Sequence, residues 1–92
     1  MVRIKKLVLD VLKPHKPNAL EFAMALADLG KGLTVRLTVA EVDEKTESTV
    51  VILEGSDMDY EAISERIERL GASIHSIDEV EVMGSEEETD AG

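Results

Sequence analysis

The apolar residues of this chain switch between a two-residue and a near-four-residue spacing, and the switches divide it into elements. Residues 2–13 (VRIKKLVLDVLK) are rich in Val, Ile and Leu and alternate loosely. Leu7, Leu9 and Val11 fall on one side; Ile4, Val8 and Leu12 fall on the other, together with Asp10. Apolar residues on both sides predict a central strand, covered on two faces. Pro14 and Pro17 end the strand and open a helix, and Pro17 suits its first turn, where a missing N–H costs nothing. In residues 18–32 (NALEFAMALADLGKG), Leu20, Phe22, Ala23, Leu26 and Leu29 recur among good helix formers. Gly30 or Gly32 supplies the stop.

Residues 33–44 alternate cleanly, with Leu33, Val35, Leu37 and Val39 on one face and Thr34, Arg36 and Thr38 on the other. The run DEKTE (43–47) reads as a turn and TVVILEG (49–55) as the returning strand of a hairpin. Residues 56–71 predict a second helix. Ser56 is a good N-cap there, and Asp57, Asp59 and Glu61 suit the positive end of its dipole. Tyr60, Ile63, Ile67 and Leu70 form its buried stripe and Gly71 ends it. Residues 72–83 (ASIHSIDEVEVM) predict a last strand.

Two strand-helix-strand halves in a body spanning residues 1–83 predict an α+β fold, the ferredoxin-like βαββαβ sandwich. Its four-stranded antiparallel sheet has the order 4-1-3-2, with two helices on one face and right-handed crossovers. The first strand is then central. The helix-free face is expected to carry Val8, Asp10, Arg36, Thr38 and Val51, a mixed surface with apolar patches. Such patches on small domains mark contacts, and pairing at a sheet edge is a second route to assembly.

Composition strengthens that expectation. A chain of 92 residues is one domain. It has no cysteine, and its aromatics are Phe22 and Tyr60 alone. Disulfides and zinc–thiolate sites are excluded. The core must be aliphatic and small, and oligomerisation would add burial. The net charge of −10 argues against nucleic acid, and against anionic membrane surfaces. No apolar run reaches the roughly 18 residues of a membrane span. The apolar part of MVRIKKLVLDVL is short, contains Asp10 and ends in Lys-Pro, which is not a signal-peptide pattern. The expected location is the cytoplasm. Residues 84–92 (GSEEETDAG) read as a disordered acidic tail carrying Glu86, Glu87, Glu88 and Asp90.

Three stretches together, VRIKKLVLDVLKPHKPNALEFA, GLTVRLTVAEVDEKTESTVVILEG and RLGASIHSIDEVEV, resemble the archaeal DUF211 family over residues 2 to 83. The resemblance implies a ferredoxin-like fold, an archaeal source and ring-shaped homo-oligomers. It implies no catalytic activity, and no catalytic residue is carried over. The sheet also lacks the aromatic and basic surface of RNA-binding domains with this layout.

The topology gathers the KPHKP loop, the VDEKTE turn and the GASIHS segment at one rim. His15, His75, Asp43, Glu44 and Glu47 belong there, with Asp10 slightly inside it. One candidate chemistry is a hard-cation site for Ca²⁺ or Mg²⁺, built from Asp10, Glu41, Asp43, Asp78 and Glu79. No twelve-residue calcium loop is present, so such a site would be weak or shared between subunits. The plainer account is a solvated acidic surface, or an Asp10 paired across the sheet. His15 and His75 as transition-metal ligands lack any recurring ligand spacing. A third candidate is a ligand rim of Lys13, His15, Lys16 and His75, facing an anionic small molecule at a subunit cleft. No Ser-His-Asp arrangement, phosphate loop or metal-spaced histidine pair is present. An enzyme using an interfacial carboxylate pair, the third reading, would need a cleft, and a small body offers little of one unless subunits build it. The expectation is therefore a non-enzymatic, self-assembling protein with cation sites at or near subunit boundaries; the alternative is a small-molecule sensor.

Overall fold

A computed structural model of the chain describes residues 1–84. The elements are β1 (Val2–Pro14), α1 (Ala19–Ala27), β2 (Thr34–Val42), β3 (Thr46–Glu54), α2 (Tyr60–Arg69) and β4 (Ser73–Gly84). The sheet order is β2-β3-β1-β4 and every neighbouring pair is antiparallel. This is the expected ferredoxin-like arrangement. The acidic residues 85–92 lie outside the described residues, and β4 includes Gly84.

The core lies between the helices and one face of the sheet. Leu7, Leu9 and Val11 of β1, Val51 and Leu53 of β3, Phe22 and Leu26 of α1, and Ile63 and Ile67 of α2 are buried there. Leu33, Val35 and Leu37 pack against the same cluster from the β2 side. Arg66 ties the helices together, its Nη1 donating to the Ala25 carbonyl at 2.9 Å.

The alternation of β1 breaks once. Between Ile4 and Lys6 the register with β4 shifts, leaving Lys5 as an extra residue. The bulge turns Ile4 toward the core, against which it packs. Simple alternation places it on the opposite side. Val51 also differs from expectation. It pairs with Leu9 and is fully buried under the helices. Its neighbours Val50 and Ile52, opposite Asp10 and Val8, occupy the helix-free face instead. Pairing register, not local composition, decides the side.

Both helix starts fall later than the sequence suggests. In α1, Asn18 is the cap. Its side chain accepts from the Glu21 N–H at 2.8 Å, and Glu21 Oε1 accepts from the Asn18 N–H at 3.0 Å. Pro17 therefore precedes the cap and stands outside the first turn. The reciprocal pair satisfies two N–H groups that have no helical partner. Asn18→Ala is expected to cost about 1 kcal/mol, measured as the shift in a urea unfolding curve. In α2, the cap is Asp59, which accepts from the Ala62 N–H at 3.2 Å, and Ser56 lies in the preceding loop. That loop is held by β1: the Gly55 and Met58 N–H groups donate to the Lys5 and Ile4 carbonyls at 3.1 and 3.0 Å. Met58 is buried as a result. At the far end of α2, Gly71 turns the chain at a φ of +86°, a conformation glycine adopts without penalty.

Candidate functional site

The buried face of β1 runs Leu7, Leu9, Val11 and then Lys13. The same face of β3 runs Leu53, Val51, Thr49 and then Glu47, because Lys13 pairs with Glu47 in the register of the two strands. An apolar stripe thus ends in a charged pair at the rim. Lys13 is fully buried. Its Nζ donates to Glu47 Oε1 at 2.9 Å and to the Pro14 carbonyl at 2.8 Å. One strand pair deeper, Thr49 is also buried and donates to the Val11 carbonyl at 2.6 Å. Polar groups below solvent level are paired here, as burial requires.

The second carboxylate oxygen of Glu47 engages the loop after β1. His15 Nδ1 lies 3.0 Å from Glu47 Oε2, and His15 Nε2 lies 2.9 Å from the Glu44 carbonyl. Both partners are acceptors, so only the doubly protonated ring satisfies both bonds. The His15 pKa is accordingly raised, first by the hydrogen bond to Glu47 and then by that to the Glu44 carbonyl. Glu47 is held below the usual carboxylate value, first by His15 and then by Lys13. The trio joins the end of β1, the loop into α1 and the β2–β3 hairpin. It is a structural tie, and it commits Lys13 and His15 to partners inside the chain.

Glu47 is the centre of this tie. Its rim position was legible from sequence, but its bonding role was not, because β3 begins at Thr46, earlier than the residues 49–55 read from composition. The available signal was alternation: Glu47 continues the Thr49-Val51-Leu53 face, and Lys13 continues the Leu7-Leu9-Val11 face.

The other expected site residues spread over several places. Asp10 sits half-buried on the helix-free face, opposite Val50 on one side and Ser76 on the other. Among the described residues no hydrogen bond or ion pair engages its carboxylate. Glu41 and Asp43 are exposed at the far end of β2 and in the hairpin loop, where the Asp43 N–H donates to the Thr46 carbonyl at 2.8 Å. Asp78 and His75 fall at two register shifts of β4. Asp78 accepts from the Ser76 hydroxyl at 2.8 Å. Glu79 pairs with Lys6 at 3.1 Å, and this contact raises the Lys6 pKa. Lys16 is exposed in the loop after β1. Among the described residues no three of His, Asp or Glu gather in a metal-holding group. Among the described residues, no helix is long and apolar enough to cross a membrane.

The outer strand β4 carries the other unusual feature. Its residues opposite core positions of β1 are apolar: Ile77 faces Leu9, Val80 faces Leu7 and Val82 faces Ile4. They share the helix side of the sheet, yet they are 49%, 57% and 57% exposed. At its inner end this stripe enters a groove between α2 and β4, lined by Tyr60, Ser64, Ile67, Ile74 and His75. On α1, Leu20 and Met24 are also exposed, one turn apart.

Two comparisons bear on identity. The chain is 47% identical over 77 residues to Uncharacterized protein MJ0319 of Methanocaldococcus jannaschii, a match covering 84% of this chain and 79% of that protein. Residues 5–89 match the family DUF211, described as Uncharacterized ArCR, which carries no catalytic name. The rim tie, the open edge strand and the split sandwich are therefore features of a chain that belongs to the DUF211 family.

Proposed function

We propose that this protein is a non-enzymatic, self-assembling module that forms closed homo-oligomeric rings, with hard-cation sites created between copies. The observation that carries the reading is the row Ile77, Val80 and Val82 on β4, an edge strand of 12 residues. A long apolar edge with unpaired backbone groups is a template for another strand. Small domains gain needed burial by covering such surfaces. The exposed pair Leu20 and Met24 on α1 adds to this, since a helix apolar on its outer side has more to gain from a neighbour.

Cation binding fits the same picture. Among the described residues no three of the carboxylates of Asp10, Glu41, Asp43, Asp78 and Glu79 gather in one chain, so Ca²⁺ or Mg²⁺ would take its oxygens from more than one copy. The half-buried carboxylate of Asp10 has no partner among the described residues, which leaves it available. The non-enzymatic reading is supported by the rim, where Lys13 and His15 are committed to Glu47.

Light scattering on the intact chain tests this. The expected mass is a multiple of one chain, and Ca²⁺ or Mg²⁺ is expected to raise the mass or the melting temperature, with EDTA reversing the change. A single-chain mass under all conditions defeats the assembly. An oligomer indifferent to both cations and EDTA defeats the cation sites alone. Stabilisation by a metabolite and not by cations would favour a sensor instead.

A further inference from the structure

We infer that the contact between copies is head-to-tail, with the β4 edge of one chain pairing antiparallel to the β2 edge of the next. This rests on the self-assembly proposed above and specifies its interface.

The first argument is strand direction. β1 is antiparallel to both β3 and β4, and β2 is antiparallel to β3. The two edge strands β2 and β4 therefore run in opposite directions. A second copy placed beside the first in the same orientation brings β4 next to β2 as an antiparallel pair, and the sheet continues without a change of pattern.

The second argument is charge. On the helix-free side, β4 presents Ser76 opposite Asp10, Glu79 opposite Val8, and Glu81 opposite Lys6. The same side of β2 presents Thr34, Arg36 and Thr38, opposite Glu54, Ile52 and Val50. A β4–β2 contact sets the Glu79–Glu81 row beside Arg36. A two-fold β4–β4 contact centred on the Glu79–Glu81 row would set acids against acids, and like charges directly across a strand pair are destabilising. Charge complementarity thus selects the unlike edges.

The third argument is the apolar side. Ile77, Val80 and Val82 lie on the helix side of β4. Val35 and Leu37 lie on the helix side of β2, opposite Leu53 and Val51. In the register that sets Glu79 beside Arg36, Val80 meets Val35 and Ile77 meets Leu37, so joining the edges covers the apolar row of β4 with apolar side chains. A head-to-tail contact leaves one free edge of each kind after every addition, so the chain either grows or closes on itself.

Mixing two edge variants of the intact chain tests the arrangement. Val80→Lys spoils the β4 edge and leaves β2 intact; Arg36→Glu spoils the β2 edge and leaves β4 intact. Each alone is expected to need at least tenfold higher concentration to assemble than the natural chain. Mixed in equal amounts, they are expected to form a two-chain species, because one sound β4 edge meets one sound β2 edge. Combining Arg36→Glu with Glu81→Arg is expected to restore full assembly. If the mixture remains single chains, or if Arg36→Glu alone assembles like the natural chain, the head-to-tail contact is overturned while self-assembly stands. If the natural chain is itself a single chain at every concentration, the self-assembly reading fails first. Circular dichroism confirms that each variant keeps its sheet, and Val82→Lys with Thr38→Glu is the second pair if either does not.

Discussion

Replacing Phe22 by alanine is expected to destabilise the fold by about 3–5 kcal/mol. Phe22 is the largest apolar side chain in the core and is fully buried. It stands on a helix of 9 residues, which is too short to hold itself together in water without tertiary packing. The cavity would lie among aliphatic side chains, and the rigid sheet below can close it only in part. Small domains have a total margin of roughly 5–15 kcal/mol, so the change removes a large share of it. Urea unfolding at one fixed protein concentration is the measurement, because assembly makes stability depend on concentration. A loss below about 1 kcal/mol would mean that α1 does not carry the core. Leu20→Ala on the exposed side of the same helix is the matched comparison, expected within about 0.5 kcal/mol for a single chain.

Replacing Glu47 by glutamine is expected to produce the second large effect, visible as a change in how stability depends on pH. Glu47 is the partner of both Lys13 and His15. Without its charge, a fully buried ammonium keeps neutral carbonyl acceptors and loses its counter-charge, and the single amide oxygen cannot serve both Lys13 and His15. Breaking a buried pair from one side is among the more destabilising changes available to a protein. Lys13→Met is expected to cost less, because it removes the buried charge itself and leaves Glu47 with His15.

The pH dependence follows from the two shifts. The His15 pKa is raised from 6.5 by its bond to Glu47. Its contribution is therefore complete below 6.5 and disappears as pH rises through the higher folded value. The Glu47 pKa is lowered from 4.5, first by His15. Its contribution is complete above 4.5 and disappears as pH falls through the lower folded value. The tie is thus strongest between 4.5 and 6.5. Thermal melts from acid to mildly basic pH are expected to show that maximum in the natural chain and a flatter profile in Glu47→Gln. Nearby Lys16, Asp43, Glu44 and Lys45 belong to both proteins and cancel in the comparison. An unchanged profile in Glu47→Gln would show that the tie does not contribute.

The fold was legible because its elements have strong and different periods. The run Leu33-Val35-Leu37 alternates, and Ile63-Ile67-Leu70 recurs at helical spacing; burial follows both patterns. The misreadings concern boundaries and sides. Ser56 looked like a cap, but the loop from Gly55 to Met58 is fastened to β1 and delays the helix to Asp59. Val51 looked exposed because its strand is apolar on both faces, and only pairing with Leu9 tells the faces apart. Of the candidate site, His15, Glu44 and Glu47 were correctly placed at one rim. The acids named for cations come from different strands and from bulges, where spacing along the chain carries little information about distance.

The amino-acid sequence by itself determined the order of elements, the aliphatic character of the core and the central position of β1, because local periodicity and composition act within a few residues. Only the tertiary structure decided that Lys13 is buried against Glu47, that Ile4 turns inward at Lys5, and that Ile77, Val80 and Val82 remain open on an edge. Those outcomes depend on strand register and on how far the helices reach across the sheet. Both are set by contacts between residues distant in the chain, which no local pattern encodes.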